Sequence, residues 1–167
     1  MRVYLPATFS MLRELSQTGV IHARSGYGFA VTPALTDFFE SGTEEEIAEY
    51  AFDEASRASL RLLAIGDDFF PHRRVVVSVD IDDGRVSFVP NLDEAVLKIE
   101  PAQIAVSDVA AIHIDVESSE EAVAKAIAVI DEADLGDEDA MLVVGDALDN
   151  FLAWYDPSEL SALVELL

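Results

Sequence analysis

The stretch that decides the fold is residues 73–90, RRVVVSVDIDDGRVSFVP. Two runs rich in β-branched residues flank Asp83-Gly84, a pair typical of a two-residue hairpin turn because both positions tolerate positive φ. With that turn, Ile81 faces Val86, and the hairpin has one apolar side and one polar side. A one-residue slip would mix the two sides, so the sequence predicts a hairpin with a fixed register.

Local signals on both sides of this stretch predict further strands and helices. Thr43 and Glu46 are spaced as a capping box at the start of a long helix, and Asp156 and Glu159 are spaced the same way before the last helix. Further strands are predicted at 3–5, 27–32, 96–99 and 110–116. Further helices are predicted to begin at residue 8, at residue 33 and after a capping box at 118–121. Strands at 141–144 and 151–155 are predicted to form a second hairpin.

This order of elements predicts a single domain over residues 1–167. Its fold class is α+β, or loosely α/β, with a mixed β-sheet that contains hairpins and is covered by helices. The length of 167 residues suits one domain, and a hydrophobic content of 51% is too high for a mainly disordered chain.

Composition also indicates the compartment. The chain has no cysteine, which excludes disulfides and thiolate sites and fits a reducing cytoplasm. Pro6 interrupts the N-terminal apolar residues too early for a signal peptide, and no apolar run reaches the ~18 residues of a membrane span. The sequence therefore predicts a soluble, cytoplasmic protein.

The charge is high and unevenly distributed. Residues 1–85 hold eight Arg and fourteen acids, and residues 86–167 hold two Lys and nineteen acids, for a net charge of −23. A surface this acidic repels phosphate backbones and anionic lipid headgroups. We therefore expect no binding to nucleic acid or membranes. Opposite potentials steer association, so the acidic C-terminal half suits a protein partner with a basic surface.

Motifs for catalysis or cofactor binding are absent from the sequence. The Gly26-Tyr27-Gly28 segment lacks a third glycine and precedes a predicted strand, whereas a dinucleotide fingerprint follows one. There is no P-loop, nucleophile elbow or zinc-protease helix, so we expect no cofactor. The sequence leaves open whether the protein is an enzyme.

The basic residues of the first half form one candidate ligand site. Arg57 and Arg61 lie one turn apart on the long helix, and His72-Arg73-Arg74 enters the first strand of the predicted hairpin. If helix and strand pack together, these groups could converge on a phosphate or carboxylate, with Arg offering bidentate hydrogen bonds. Ion pairs within the helix, with Asp53 and Glu54 as partners of Arg57, are the more common outcome for such spacing.

One pair of neighbouring aromatic residues in a loop is a candidate contact for a partner. Phe69-Phe70 follows Gly66 in a predicted loop, where consecutive phenylalanines either anchor a partner protein or fold back over the core. Trp154-Tyr155 lies just before the last helix.

One strand carries a weak candidate metal site. His113, Asp115 and Glu117 alternate with apolar residues, so they share one face of the predicted strand 110–116 and its end. An imidazole beside carboxylates can hold a divalent cation. A half-buried strand with its polar side facing water has the same pattern and is the more common case.

Several segments resemble an actinobacterial family of small uncharacterised proteins. The resemblance covers nearly the whole chain and is carried by 2–8, 29–35, 58–63, 73–77, 110–115 and 154–155. It implies a single cytoplasmic domain in a bacterium. It implies no activity and no site residues.

Two hypotheses for the function follow. The first is a non-enzymatic binding or regulatory module that contacts a protein partner, supported by the loop aromatics and the lack of a catalytic set. The second is a small-molecule binder or enzyme for an anionic ligand, which requires a pocket that holds at least two of the four candidate arginines.

Overall fold

A large antiparallel sheet forms the centre of the protein in this computed structural model, which describes residues 1–66 and 71–166. The strands are β1 (Arg2–Ala7), β2 (Val20–His22), β3 (Tyr27–Phe29), β4 (Val75–Asp80), β5 (Val86–Phe88), β6 (Val96–Ile99), β7 (Gln103–Ala105), β8 (Val109–Asp115) and β9 (Leu152–Tyr155). The helices are α1 (Phe9–Thr18), α2 (Pro33–Phe38), α3 (Glu44–Ile65), α4 (Glu120–Asp134), α5 (Glu138–Leu148) and α6 (Leu160–Glu165). Within the described ranges, seven strands form the sheet in the order β5-β6-β3-β1-β4-β8-β9, and β2 pairs with β7 separately.

The predicted hairpin at 73–90 was wrong. β4 ends at Asp80, a 3₁₀ turn spans Asp83–Arg85, and β5 pairs with β6 instead of β4. β4 lies between β1 and β8, and its ladder with β1 runs from Arg2 opposite Asp80 to Ala7 opposite Val75. Both edges of β4 are therefore occupied by distant strands. The run 75–79 is buried on both faces, as is typical of a central strand.

The predicted hairpin of 141–144 and 151–155 was also wrong in its first strand. Residues 141–144 lie inside α5, whose N-cap Asp137 accepts a hydrogen bond from the Ala140 N–H at 2.8 Å. Ala140, Val144 and Ala147 are buried at helical spacing against α4. A short apolar run fits a strand or a buried helix equally well, and here the N-terminal cap favours the helix. Only β9 matches the prediction.

The other predicted caps were mostly correct. Thr43 and Glu46 form the capping box of α3, and Asp156 and Glu159 form one before α6. The box predicted at 118–121 does not form, because α4 begins at Glu120 and its cap residue makes no side-chain hydrogen bond. The predicted α+β class is confirmed, and neighbouring strands of the described sheet pair antiparallel.

The two faces of the large sheet are covered by different helices. One face is apolar, and its core includes Val3, Leu5 and Val77, packed with α1 and α6. The other face packs against α3, and the C-terminal part of α3 packs in turn against α4 and α5. Among the described residues, no helix is long and apolar enough to cross a membrane.

A buried serine fixes α3 on its face of the sheet. The Ser59 hydroxyl donates to the Ala7 carbonyl at 2.9 Å and accepts from the Val75 N–H at 3.1 Å. These bonds connect the helix to the end of β1 and the start of β4. Because these bonds fix α3 on the sheet, they also hold the N-terminal half of the helix beside β8 and β9.

Candidate functional site

A groove lies between the N-terminal half of α3 and the β8–β9 side of the sheet. It consists of two cavities of about 420 and 320 Å³ that share Glu49 and Phe52 in their walls. We call it the acidic groove, because Glu45, Glu49, Asp53 and Asp149 line it. Its further lining residues include Arg2, Tyr4, Ser78, Arg74, His113, Asn150, Phe151, Leu152 and Trp154.

The floor of the smaller cavity is a hydrogen-bonded and aromatic cluster. Ser78 Oγ lies 2.9 Å from His113 Nε2, and Tyr4 lies opposite Ser78 in the β1–β4 ladder. The Phe52 ring packs edge-on against His113 at 4.8 Å between centroids and against Tyr4 at 5.5 Å. Burial, together with the positive charge of Arg2, lowers the pKa of His113 to about 4. The imidazole is therefore neutral at pH 7.

A buried ion pair fixes the end wall of the larger cavity. The Arg74 guanidinium donates to both Asp115 carboxylate oxygens at 2.8 Å, and its backbone N–H donates to the same carboxylate at 2.7 Å. Arg74 also donates to the Asn150 carbonyl at 2.8 Å. Both side chains are almost fully buried, at 1% and 0% exposure. The pair therefore connects β4 and β8 to the segment between α5 and β9.

Two carboxylates of the acidic groove, those of Glu49 and Asp53, repel each other. Burial, and then the negative charge of Glu49, raises the pKa of Asp53, while Arg74 opposes this rise. Arg74 cannot neutralise the groove, because its own charge is balanced by Asp115. The groove is therefore a region of negative potential that a cation would stabilise.

The outer border of the groove is an edge strand with exposed aromatic side chains. β9 pairs with β8 through His113 opposite Trp154, and within residues 1–66 and 71–166 no strand pairs with its other edge. Trp154 is 60% exposed and Phe151 71% exposed, and both line the groove. Both rings are therefore accessible from solvent at this edge of the sheet.

The structure places the candidate arginines at three different carboxylates. Arg57 and Arg61 both donate to Asp134, at 3.1 Å and 2.8 Å, where the sequence suggested Asp53 and Glu54 as partners of Arg57. Arg73 donates to Glu120 at 2.7 Å, and Arg74 donates to Asp115. Anion binding by these residues stays a prediction, and it would require an anion to displace the carboxylates.

The other candidates from the sequence fall in different places. His72 is half-buried, directly precedes Arg73 and does not line the acidic groove. Phe69 and Phe70 lie outside the described residues, so their predicted role in partner binding stays a prediction.

The candidate metal residues have other partners. Asp115 pairs with Arg74, and His113 is hydrogen-bonded to Ser78. In the described part of the chain, no three His, Asp or Glu side chains are grouped as metal ligands. Glu117 lies in a 3₁₀ turn after β8. The polar side of β8 was expected to face water, and this was wrong, because Asp115 is 2% exposed and α3 covers this face.

Sequence reasoning missed the acidic side chains of α3. Glu45, Glu49 and Asp53 recur at four-residue spacing, which places them on one helix face, and Phe52 adjoins them. That signal was present but indistinguishable from an ordinary solvated face. The partner strand β9 is about a hundred residues away in the chain, and no local pattern indicates that it lies beside this helix.

The fold and the groove together define a class: an antiparallel α+β domain with an acidic, aromatic-bordered groove at one edge of its sheet. A sequence profile described as a family of unknown function, DUF6912, matches residues 1–164. The chain belongs to this family. No curated protein and no solved structure matches the chain.

Proposed function

We propose that this domain is a protein-binding module that receives an extended, basic segment of a partner along β9. The observation that carries the proposal is an unpaired edge strand whose groove-facing side chains lie beside carboxylates. The proposal makes the protein a binding or regulatory module and requires no catalytic group.

The backbone of β9 supplies the first part of the argument. In an antiparallel pair, backbone groups that do not bond to the neighbouring strand point outward. Among the described residues, no backbone hydrogen bond reaches 152–155 from outside the β8–β9 ladder. An extended segment can therefore add to this edge and satisfy the outward N–H and C=O groups, as in β-strand addition.

The alternation of side chains along β9 supplies the second part. Leu152 and Trp154 line the acidic groove, whereas Tyr155 packs against the apolar core on the opposite face of the sheet. Every second side chain of an added strand would therefore face the groove. This geometry favours a segment with basic residues at alternate positions.

Charge supplies the third part. Glu45, Glu49, Asp53 and Asp149 line the groove, and the whole chain carries −23. Opposite potentials accelerate encounter and select partners, so a basic segment is favoured over an acidic one. Trp154 also offers a ring face to a lysine or arginine, a contact worth about 0.5–2 kcal/mol.

A titration with designed peptides tests the proposal. Trp154 is the only tryptophan of the chain, so its fluorescence reports binding at this edge directly. We expect a peptide of alternating Lys and Thr to change the emission and saturate, since Thr favours strands. The same composition with all lysines contiguous should bind much more weakly, and alternate backbone N-methylation should abolish binding because it removes the N–H donors.

Matched variants separate the groove from the general negative charge. We expect Glu49→Gln with Asp53→Asn to weaken the alternating peptide about five- to tenfold, roughly 1–1.4 kcal/mol. Glu132→Gln with Asp131→Asn removes the same charge from an exposed part of α4, and we expect it to change affinity less than twofold. Equal losses in both double variants, or equal binding of all three peptides, would contradict the proposal.

A further inference from the structure

A second groove lies on the same face of the sheet, beside the C-terminal half of α3. This cavity of about 250 Å³ is bordered by Pro6, Tyr27, Phe29 and Val96 from the sheet, by Ala58, Arg61 and Leu62 from α3, and by Leu92 from the loop after β5. Arg61 is held by Asp134 at 2.8 Å. We call it the apolar groove. Its volume lies below the ~300–1,000 Å³ of sites for drug-sized molecules, so it suits a single ring or a short alkyl chain.

An arginine that has no partner among the described residues lies at the border of this groove. Arg24 lines the cavity and is exposed, and within the described residues it has no ion pair or hydrogen-bond partner. Arg2, Arg57, Arg61, Arg73 and Arg74 each hold a carboxylate, whereas Arg24 holds none among the described residues. In a chain with 33 acids and 10 lysines and arginines, a guanidinium that holds no carboxylate of the described residues and lies beside an apolar cavity can bind an external anion.

We infer that the apolar groove binds a small organic acid with an apolar body and one carboxylate. The ring or alkyl chain would lie against Phe29, Val96 and Leu62, and the carboxylate would accept hydrogen bonds from Arg24. Leu92, which is 60% exposed, would cover the apolar part and lose contact with water. The inference goes beyond the proposed function, because it concerns another ligand at another site.

The backbone beside Arg24 agrees with a site of this kind. Ser25 also lines the cavity and has φ = 57°, a left-handed conformation that is unfavourable for a residue with a side chain. Gly26 follows with φ = 79°. Strained conformations of this kind are enriched where a loop positions groups for a ligand. The turn places the Arg24 and Ser25 side chains together at the groove.

The experiment is an NMR titration of methyl-labelled protein with octanoate and, separately, with 3-phenylpropionate. We expect saturable shifts at the methyl groups of Leu62, Leu92 and Val96, with no change at Leu152. A comparison of the affinities of the two acids shows whether the groove prefers an alkyl or an aromatic ligand. The neutral alcohols of the same length should bind at least about fivefold more weakly, since they lack the carboxylate that the guanidinium binds.

Two variants make the result specific to Arg24. We expect Arg24→Gln to raise the Kd at least about fivefold, and Arg13→Gln to leave it unchanged. Arg13 is an exposed arginine of α1, on the other face of the sheet, and is likewise without a partner among the described residues. Ala58→Leu, which fills the cavity, should abolish the shifts. Shifts spread over the surface, or equal effects of the two arginine substitutions, would overturn the inference.

Discussion

The two grooves beside α3 share one helix and one sheet face but differ in charge and in what borders them. The acidic groove uses the N-terminal half of the helix, with Glu45, Glu49 and Asp53, and ends at an unpaired strand. The apolar groove uses the C-terminal half, with Ala58 and Leu62. Acids near a helix N-terminus and cations toward its C-terminus are favoured by the helix dipole.

This comparison shows how one helix can serve two binding chemistries. Glu45 lies in the first turn of α3, where the helix dipole favours an acid, and it also lines the acidic groove together with Glu49 and Asp53. Arg61 also lines the apolar groove, but Asp134 holds both Arg57 and Arg61, so we expect an anion there to bind Arg24 from a different element. Each groove can therefore be disrupted without the other.

The largest expected effect is on the end wall of the acidic groove. Asp115→Asn leaves the buried Arg74 guanidinium without its carboxylate, and breaking a buried pair costs about 3–5 kcal/mol. We expect the free energy of unfolding in urea to fall by that amount. Asp80→Asn is the matched control, because the Arg2–Asp80 pair is exposed and such pairs contribute about 0–1 kcal/mol. Similar losses in the two variants would refute a structural role for the buried pair.

The second effect concerns the strand beneath the apolar groove. A Cβ atom at Gly28 would lie 2.5 Å from Val3 Cγ1 and 3.2 Å from Leu5 Cδ2, so Gly28→Ala forces β3 or β1 to move. We expect a loss of about 1–3 kcal/mol, the usual cost of overpacking. Octanoate binding should weaken as well, since Tyr27 and Phe29 flank Gly28. Gly84→Ala, which meets no atom within 4 Å, should leave stability and binding unchanged.

The third effect is a pH dependence that originates in the acidic groove. The unfolded chain binds a proton at His113 near its ordinary pKa of 6.5, whereas the folded protein binds it only near pH 4. Stability from this group is therefore complete above pH 6.5 and is lost as pH falls toward 4. At ~1.4 kcal/mol per unit of pKa difference, the free energy of unfolding can fall by at most about 3 kcal/mol between these two pH values. We expect about half of that loss, because the His113 ring is only half-buried.

Urea unfolding at pH 7 and pH 4.5 measures this contribution. His113→Gln keeps a polar partner for Ser78 but does not titrate, so its stability should fall less between the two pH values than that of the unmodified protein. If the free energy of unfolding falls equally in both proteins between pH 7 and pH 4.5, His113 does not control the pH dependence.

The smallest expected effect tests the two arginines between the grooves. Asp134→Asn should cost only about 0.5–1 kcal/mol, because Arg57, Arg61 and Asp134 are all partly exposed. It should also free two guanidinium groups for phosphate. We therefore expect phosphate to raise the melting temperature of the variant more than that of the unmodified protein. If phosphate stabilises the unmodified protein equally, the arginines bind anions despite Asp134.

The predictability of this fold depended on how local each signal is. The capping boxes at Thr43 and Asp156 involve four neighbouring residues, and both formed as predicted. The predicted hairpin around Asp83-Gly84 does not form, because β4 pairs along its length with two distant strands, β1 and β8. A hairpin at this turn would give β4 only one short ladder. The strand predicted at 141–144 was wrong because a run of four apolar residues fits the two-residue period of a strand and the 3.6-residue period of a helix equally well.

The acidic groove was harder to predict than the fold for the same reason. Its walls come from β1, α3, β4, β8 and β9, and the chain order separates β1 from β9 by about 150 residues. Trp154 was notable from the sequence as an aromatic residue near the last helix. Its position at the open edge, beside Glu49 and Phe52, depends on strand order, which no local pattern determines.

Hydrogen exchange at the β9 amides tests the central claim most directly. The proposal places a basic, extended segment in hydrogen-bonding register with Leu152–Tyr155. We expect saturating alternating Lys-Thr peptide to slow exchange of the outward-pointing amides in this strand, with no change at β5, the other edge of the sheet. Unchanged exchange in β9 while the Trp154 fluorescence saturates would contradict strand addition and would leave only surface attraction between opposite charges.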